Sequence, residues 1–124
     1  MLTSSIVWIL VGSGGITALG GLAVLLATKP LLRVAFGVEA VDRTVTFFVR
    51  HWGVLLFVIG ALIVYSAYDP SVRPPVLTAA AFEKLAVGVL ILVGRVPRTP
   101  AIVAAALADA VFAIVYILYL AGLY

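Results

Sequence analysis

Residues 101–123 read AIVAAALADAVFAIVYILYLAGL, an apolar run in which Asp109 is the one charged side chain. A run of this length can cross a hydrocarbon core of about 30 Å, which needs around 20 helical residues. Working back along the chain, residues 76–93 form a second run, interrupted only by Glu83 and Lys84. Two further apolar runs lie at 47–68 and 6–27. The sequence therefore predicts four transmembrane helices.

The composition of the chain supports a membrane environment. It is 65% hydrophobic and 10% charged, with a mean hydropathy of +1.31. Soluble domains carry about 25% charged residues, and a domain of this size leaves much of its surface exposed. Because there is no Cys, thiol catalysis, disulfides and Cys-based metal sites are excluded, and a single histidine, His51, makes a poor metal site. We expect no metal.

Short connections between the runs force neighbouring helices to be antiparallel. We therefore predict an all-α fold, an integral membrane four-helix bundle in which residues 1–124 form a single transmembrane domain. The mixed apolar and charged interval 28–46 predicts a short helix lying in the membrane interface and ending near Gly37.

Basic residues fall mainly on one side of this predicted bundle. That side carries Lys29, Arg33, Arg43, Arg50, Arg95 and Arg98. The opposite side has Arg73 alone, so the positive-inside rule places both termini outside the cytoplasm, on the periplasmic side of a bacterial cytoplasmic membrane. The net charge of +3 and the pI near 9.6 then reflect orientation in the membrane, and no nucleic-acid partner is expected.

Charged residues within the runs predict a polar layer. An ionised group at bilayer depth costs roughly 2.5–3.5 kcal/mol on insertion scales. From the helical rise, Lys84 and Asp109 lie about 15 Å and about 12 Å from the inner ends of their helices, so we expect them to pair. Glu83 points about 100° away from Lys84 and is expected to be the titratable member. Arg50, near the inner end of its helix, would face lipid headgroups or an anionic ligand.

Small residues predict close helix packing. Ser13, Thr17 and Gly21 are spaced at i, i+4 and i+8, and Gly53 and Gly60 leave a groove beside Arg50. Such residues let helix backbones approach within one bundle or at the seam of a homo-oligomer, and both interpretations stay open. The sequence contains no G-x-S-x-G, no H-E-x-x-H and no phosphate-binding glycine loop, so no catalytic residues are expected.

The order of these features resembles the DoxX-like family of small four-helix bacterial membrane proteins. The features that carry the resemblance are Lys29-Pro30-Leu31-Leu32, Phe36-Gly37, Arg50-His51-Trp52-Gly53, Asp69-Pro70 and Arg73-Pro74. In that family an Arg followed closely by Gly recurs at the start of the second helix, which matches Arg50 and Gly53. Glu83, Lys84 and Asp109 match no family motif.

The resemblance implies a membrane subunit or accessory protein, in some members linked to quinone-coupled redox complexes. We therefore expect a non-enzymatic accessory or partner-binding subunit that holds a quinone or lipid between its helices, with Arg50, Glu83, Lys84 and Asp109 as site residues. Two alternatives stay open. One is a small proton-coupled transporter or channel acting as an oligomer, and the other is a helix-packing scaffold in which the charged layer only sets the register.

Overall fold

A computed structural model describes residues 2–37, 42–94 and 98–123, and helices make up nearly all of them. The helices are α1 (Leu2–Leu26), α2 (Thr28–Phe36), α3 (Arg43–Tyr68), α4 (Arg73–Val93) and α5 (Pro100–Leu120), with a 3₁₀ turn at Pro70–Val72. Four of them, all except α2, are long and apolar enough to cross a membrane. The predicted all-α fold class is confirmed.

Local capping explains where the long helices begin and end. α3 begins at Arg43, four residues before the predicted start, because the Asp42 side chain accepts a hydrogen bond from the Val45 amide at 2.8 Å. Thr99 caps α5 in the same way. The fourth span was predicted to continue to residue 123, but α5 ends at Leu120, and Gly122 follows with a left-handed φ of 75°.

The predicted short helix after the first span is present as α2. It ends where Gly37 adopts a left-handed φ of 68° and donates its amide to the Arg33 carbonyl, the usual use of glycine at a helix C-terminus. One face of α2 is apolar and the other carries charge, and the helix packs against α1, α3 and α5. Such an amphipathic helix suits a membrane interface.

Glycines set the contact between α1 and α3, the most extensive helix pair in the bundle. A Cβ atom added to Gly21 would lie 2.5 Å from the Gly53 carbonyl oxygen, and one added to Gly60 would lie 2.5 Å from the Gly14 carbonyl oxygen. Backbones this close tolerate no side chain between them. Gly21, Gly53 and Gly60, which were predicted to be packing residues, all lie in this contact.

All four long helices contribute to one buried core. Its members are Ile6 and Leu10 of α1, Ile63 and Ala67 of α3, Leu77, Ala80 and Ala81 of α4, and Tyr116 of α5. The outward surface is also apolar, with exposed side chains such as Phe82, Leu92 and Leu107. An outer surface of this kind is unfavourable in water and is normal in contact with lipid tails.

Candidate functional site

The ammonium group of Lys84, on α4, is buried in contact with α1 and α5. Lys84 is 2% exposed, and its Nζ donates hydrogen bonds of 3.0 Å to Asp109 Oδ1 and 3.0 Å to Thr17 Oγ1. Nζ also lies 5.4 Å from the centre of the Phe112 ring, within the range of a cation–π contact. The expected ion pair between Lys84 and Asp109 is present, and it joins α4 to α5.

Hydroxyl groups extend this ion pair into a network that reaches α1. Thr17 Oγ1 accepts from Lys84 and donates to the carbonyl oxygen of Ser13 at 2.9 Å. The Ser13 hydroxyl in turn shares a hydrogen bond with the Tyr116 hydroxyl of α5. Ser13 and Thr17 were predicted from their spacing to be packing residues. In the structure both are buried, and their side chains serve as hydrogen-bonding groups.

Glu83 lies beside this network without being hydrogen-bonded into it. It precedes Lys84 directly in α4. Its Oε2 atom is buried and accepts no hydrogen bond from any residue that the structure describes. Burying a carboxyl oxygen without a hydrogen bond costs free energy. Glu83 is therefore a candidate functional residue.

Arg50 lies in a different place. It lines an open pocket of about 520 Å³ at the end of the bundle where α1 finishes and α3 begins. The lining residues are Leu25, Lys29, Asp42, Arg43, Thr46, Phe47, Arg50, His51 and Val54. Glu83, Lys84 and Asp109 do not line it. The four predicted site residues therefore divide between two sites, an interior polar network and this basic pocket.

Charge is unbalanced in the basic pocket. Three of its side chains are cationic, those of Lys29, Arg43 and Arg50, and Asp42 supplies one carboxylate. One oxygen of that carboxylate caps α3 through the Val45 amide. Among residues 2–37, 42–94 and 98–123, no hydrogen bond or ion pair reaches the side chains of the three cations. Among the described residues, an anion entering the pocket would therefore meet more positive than negative charge.

Arg73 has a structural role that the sequence analysis missed, since it considered this residue only for the orientation of the bundle and for the family resemblance. The side chain is buried. Nε donates to the Ser66 carbonyl at 2.7 Å and Nη2 donates to the Ala67 carbonyl at 2.8 Å. Nη1 donates to the Tyr119 hydroxyl at 3.2 Å. Arg73 thus satisfies carbonyl groups in the last turn of α3, which lack helical partners.

A signal for this role was present in the sequence. Arg73 follows Asp69-Pro70 by a few residues, so a tight turn must bring it back to the C-terminal end of the preceding helix. Cations are favourable at that end because of the exposed carbonyls and the helix dipole. Arg95, which was predicted to share the basic side of the bundle with Arg50, lies outside the described residues.

Comparisons with known proteins give no family assignment. No family model, curated protein or solved structure matches the chain.

Proposed function

We propose that the protein is a non-enzymatic integral membrane accessory subunit that binds a lipophilic ligand with a polar head in the basic pocket. The observation that carries this proposal is the combination of cationic and apolar side chains around one opening. Arg50 and Arg43 offer charged donors, and Leu25, Phe47 and Val54 offer apolar contact. Ligand sites of this size commonly combine an apolar lining with a few well-placed polar groups.

The resemblance to DoxX-like proteins supports the same proposal. It implies an accessory subunit in a membrane complex, and a quinone or a lipid is the class of ligand it favours. The pair Arg50 and Gly53 carries that resemblance, and the two residues lie about two to three turns into α3, in the half of the helix that borders the pocket.

The position of the pocket is linked to the orientation of the bundle in the membrane. We propose that it faces the cytoplasm of a bacterial cell, with both termini on the periplasmic side. Support comes from the surface charge, because Arg33 and Arg98 are exposed at the pocket end of the bundle whereas Arg73, at the other end, is buried. Alkaline phosphatase fused after residue 123 should be active, and a green fluorescent protein fused there should be dark. The opposite result would overturn the orientation.

The function is tested by what remains bound in mild detergent. Wild-type protein should retain a lipid or quinone that is detected by mass spectrometry of the extracted protein, and Arg50→Ala should lose most of it. Arg98→Ala is the matched control, since Arg98 is exposed and does not line the pocket. Wild-type protein free of any bound lipophilic molecule would overturn the proposal.

A second candidate function, proton-coupled transport, is supported by one observation, the unpartnered buried oxygen of Glu83 beside the Lys84–Asp109 ion pair. Ionisable groups within a membrane bundle often mark proton pathways. If Glu83 carries protons, pH-driven flux into liposomes should be present for wild type and absent for Glu83→Gln. Equal proton leakage from protein-containing and empty liposomes would exclude this candidate.

A further inference from the structure

We infer that the ligand of the basic pocket is an anionic phospholipid whose phosphate binds between Arg50 and Arg43. This inference rests on the proposed function, and it names the class of ligand. Charge complementarity is the first argument. Among the described lining residues, three side chains are cationic, those of Lys29, Arg43 and Arg50, and one is a carboxylate, that of Asp42, so positive charge is in excess.

The type of donor favours a phosphate over a quinone. A guanidinium group presents a planar set of N–H donors that matches the oxygens of a phosphate, and a charge-assisted pair of this kind is stronger than a neutral hydrogen bond. A quinone offers neutral carbonyl oxygens. With a quinone bound, the positive charges of Lys29, Arg43 and Arg50 would be balanced, among the described lining residues, only by the carboxylate of Asp42.

The pocket also has the apolar contacts that an acyl chain needs. Leu25 lies in the last turn of α1, Phe47 near the start of α3, and Val54 about two turns further along α3. A headgroup bound at Arg43 and Arg50 would therefore leave the glycerol and upper acyl chain against Val54, toward the centre of the membrane. Free phosphate could satisfy the cations but would gain nothing from these side chains.

The test compares headgroups on the full chain. Purified protein is exchanged into a neutral detergent and titrated separately with phosphatidylglycerol, phosphatidylcholine, decylubiquinone and inorganic phosphate, and occupancy is read by native mass spectrometry. We expect phosphatidylglycerol to bind at least fivefold more tightly than phosphatidylcholine. Removing one cation near a membrane surface weakens anion binding about fivefold. Arg50→Gln and Arg43→Gln should therefore each weaken the binding of phosphatidylglycerol by about that factor.

A matched control separates the pocket from general surface charge. Arg33 is an exposed cation of α2 that does not line the pocket, so Arg33→Gln should leave the affinity for phosphatidylglycerol unchanged. If Arg33→Gln weakens binding as much as Arg50→Gln does, the lipid is held by diffuse charge and the inference is wrong. Circular dichroism of each variant checks that the helices are retained.

The remaining outcomes are also decisive. Equal affinity for the two phospholipids, tighter binding of decylubiquinone, or competition by inorganic phosphate at millimolar concentration would each overturn the anionic lipid while leaving a ligand-binding pocket in place. Failure of wild type to bind any of the three lipophilic probes would overturn the inference and the proposed function together.

Discussion

The ammonium of Lys84 and the carboxylate of Asp109 lie 3.0 Å apart, with the lysine side chain 1% exposed and the aspartate side chain 26% exposed. The cation is therefore enclosed while its counter-ion reaches the edge of the bundle. Loss of either group leaves the other without its opposite charge in an apolar environment. Removing one member of a buried pair is far more harmful than removing both.

Single and double substitutions of this pair should therefore differ sharply. Asp109→Leu alone should destabilise the fold by about 3 kcal/mol, because the buried Lys84 side chain loses its counter-ion. The double variant with Lys84→Met should recover most of that loss, measured by unfolding in mixed detergent micelles. If the double variant is as unstable as the sum of both single variants, the network contributes more than charge neutralisation.

Function can be read in the same double variant. If the pair only sets the helix register, replacing it with apolar residues should leave the proposed lipid binding in the basic pocket and any proton flux unchanged. Loss of either activity in a well-folded double variant would assign the interior network a role beyond structure.

Gly60, which lies in the α1–α3 contact, offers a second prediction. Gly60→Ala should destabilise the bundle by about 1–3 kcal/mol, since the added methyl would meet the backbone of α1 and force the helices apart. Gly12→Ala is the control, because a Cβ there meets no atom within 4 Å. Both substitutions raise helix propensity equally, so the difference in unfolding free energy isolates the contact. Equal stability of the two variants would contradict the close approach.

The sequence predicted the helices and the depth of their charged residues, but not the direction of the side chains or the basic pocket. Helix length follows from the apolar runs, and the depth of Lys84 and Asp109 follows from the rise per residue, so the bundle and the ion pair could be foreseen. The direction of a side chain is harder to predict. α1 is apolar on every face, so its periodicity does not indicate that Thr17 turns toward Lys84. Arg50 was expected near the inner end of its helix and was named as a site residue together with the interior charges, because nothing in the sequence places the pocket.

Arg73 supplies a third prediction. Arg73→Gln should destabilise the fold by about 2–4 kcal/mol, because the carbonyl groups of Ser66 and Ala67 lose charged donors in a buried position. Arg73→Lys should rescue only part of this loss, since one ammonium cannot reproduce the planar fork of donors. Thermal unfolding in detergent measures the effect, with the exposed Arg98→Gln as control. If Arg73→Gln and Arg98→Gln unfold at the same temperature, the hydrogen bonds of the Arg73 guanidinium do not stabilise the C-terminal end of α3.

A double-mutant cycle tests the hydrogen bond between Ser13 and Tyr116. Ser13→Ala and Tyr116→Phe should each destabilise the fold, and the double variant should lose less than the sum, since each single change leaves a buried hydroxyl without its partner. The coupling should be about 1 kcal/mol, within the range measured for hydrogen bonds between membrane helices. A coupling of zero would show that α1 and α5 are joined by packing alone.

The turn between α3 and α4 responds to pH through Asp69. The side chain and backbone amide of Ser71 donate hydrogen bonds to the Asp69 carboxylate and lower its pKa below the ordinary value, and Tyr65 and Arg73 act in the same direction. Because the folded pKa is lowered, the carboxylate stabilises the turn at neutral pH, and this contribution is lost as the pH falls through the folded pKa, below about 3.9. Ser71→Ala should move the titration of Asp69 to higher pH, as followed by the carboxyl ¹³C resonance in micelles. Thr78→Ala is the control, because the Thr78 hydroxyl is exposed and bonded within α4, and it should leave the titration of Asp69 unchanged. If Asp69 titrates identically in Ser71→Ala and in wild type, Ser71 does not lower its pKa.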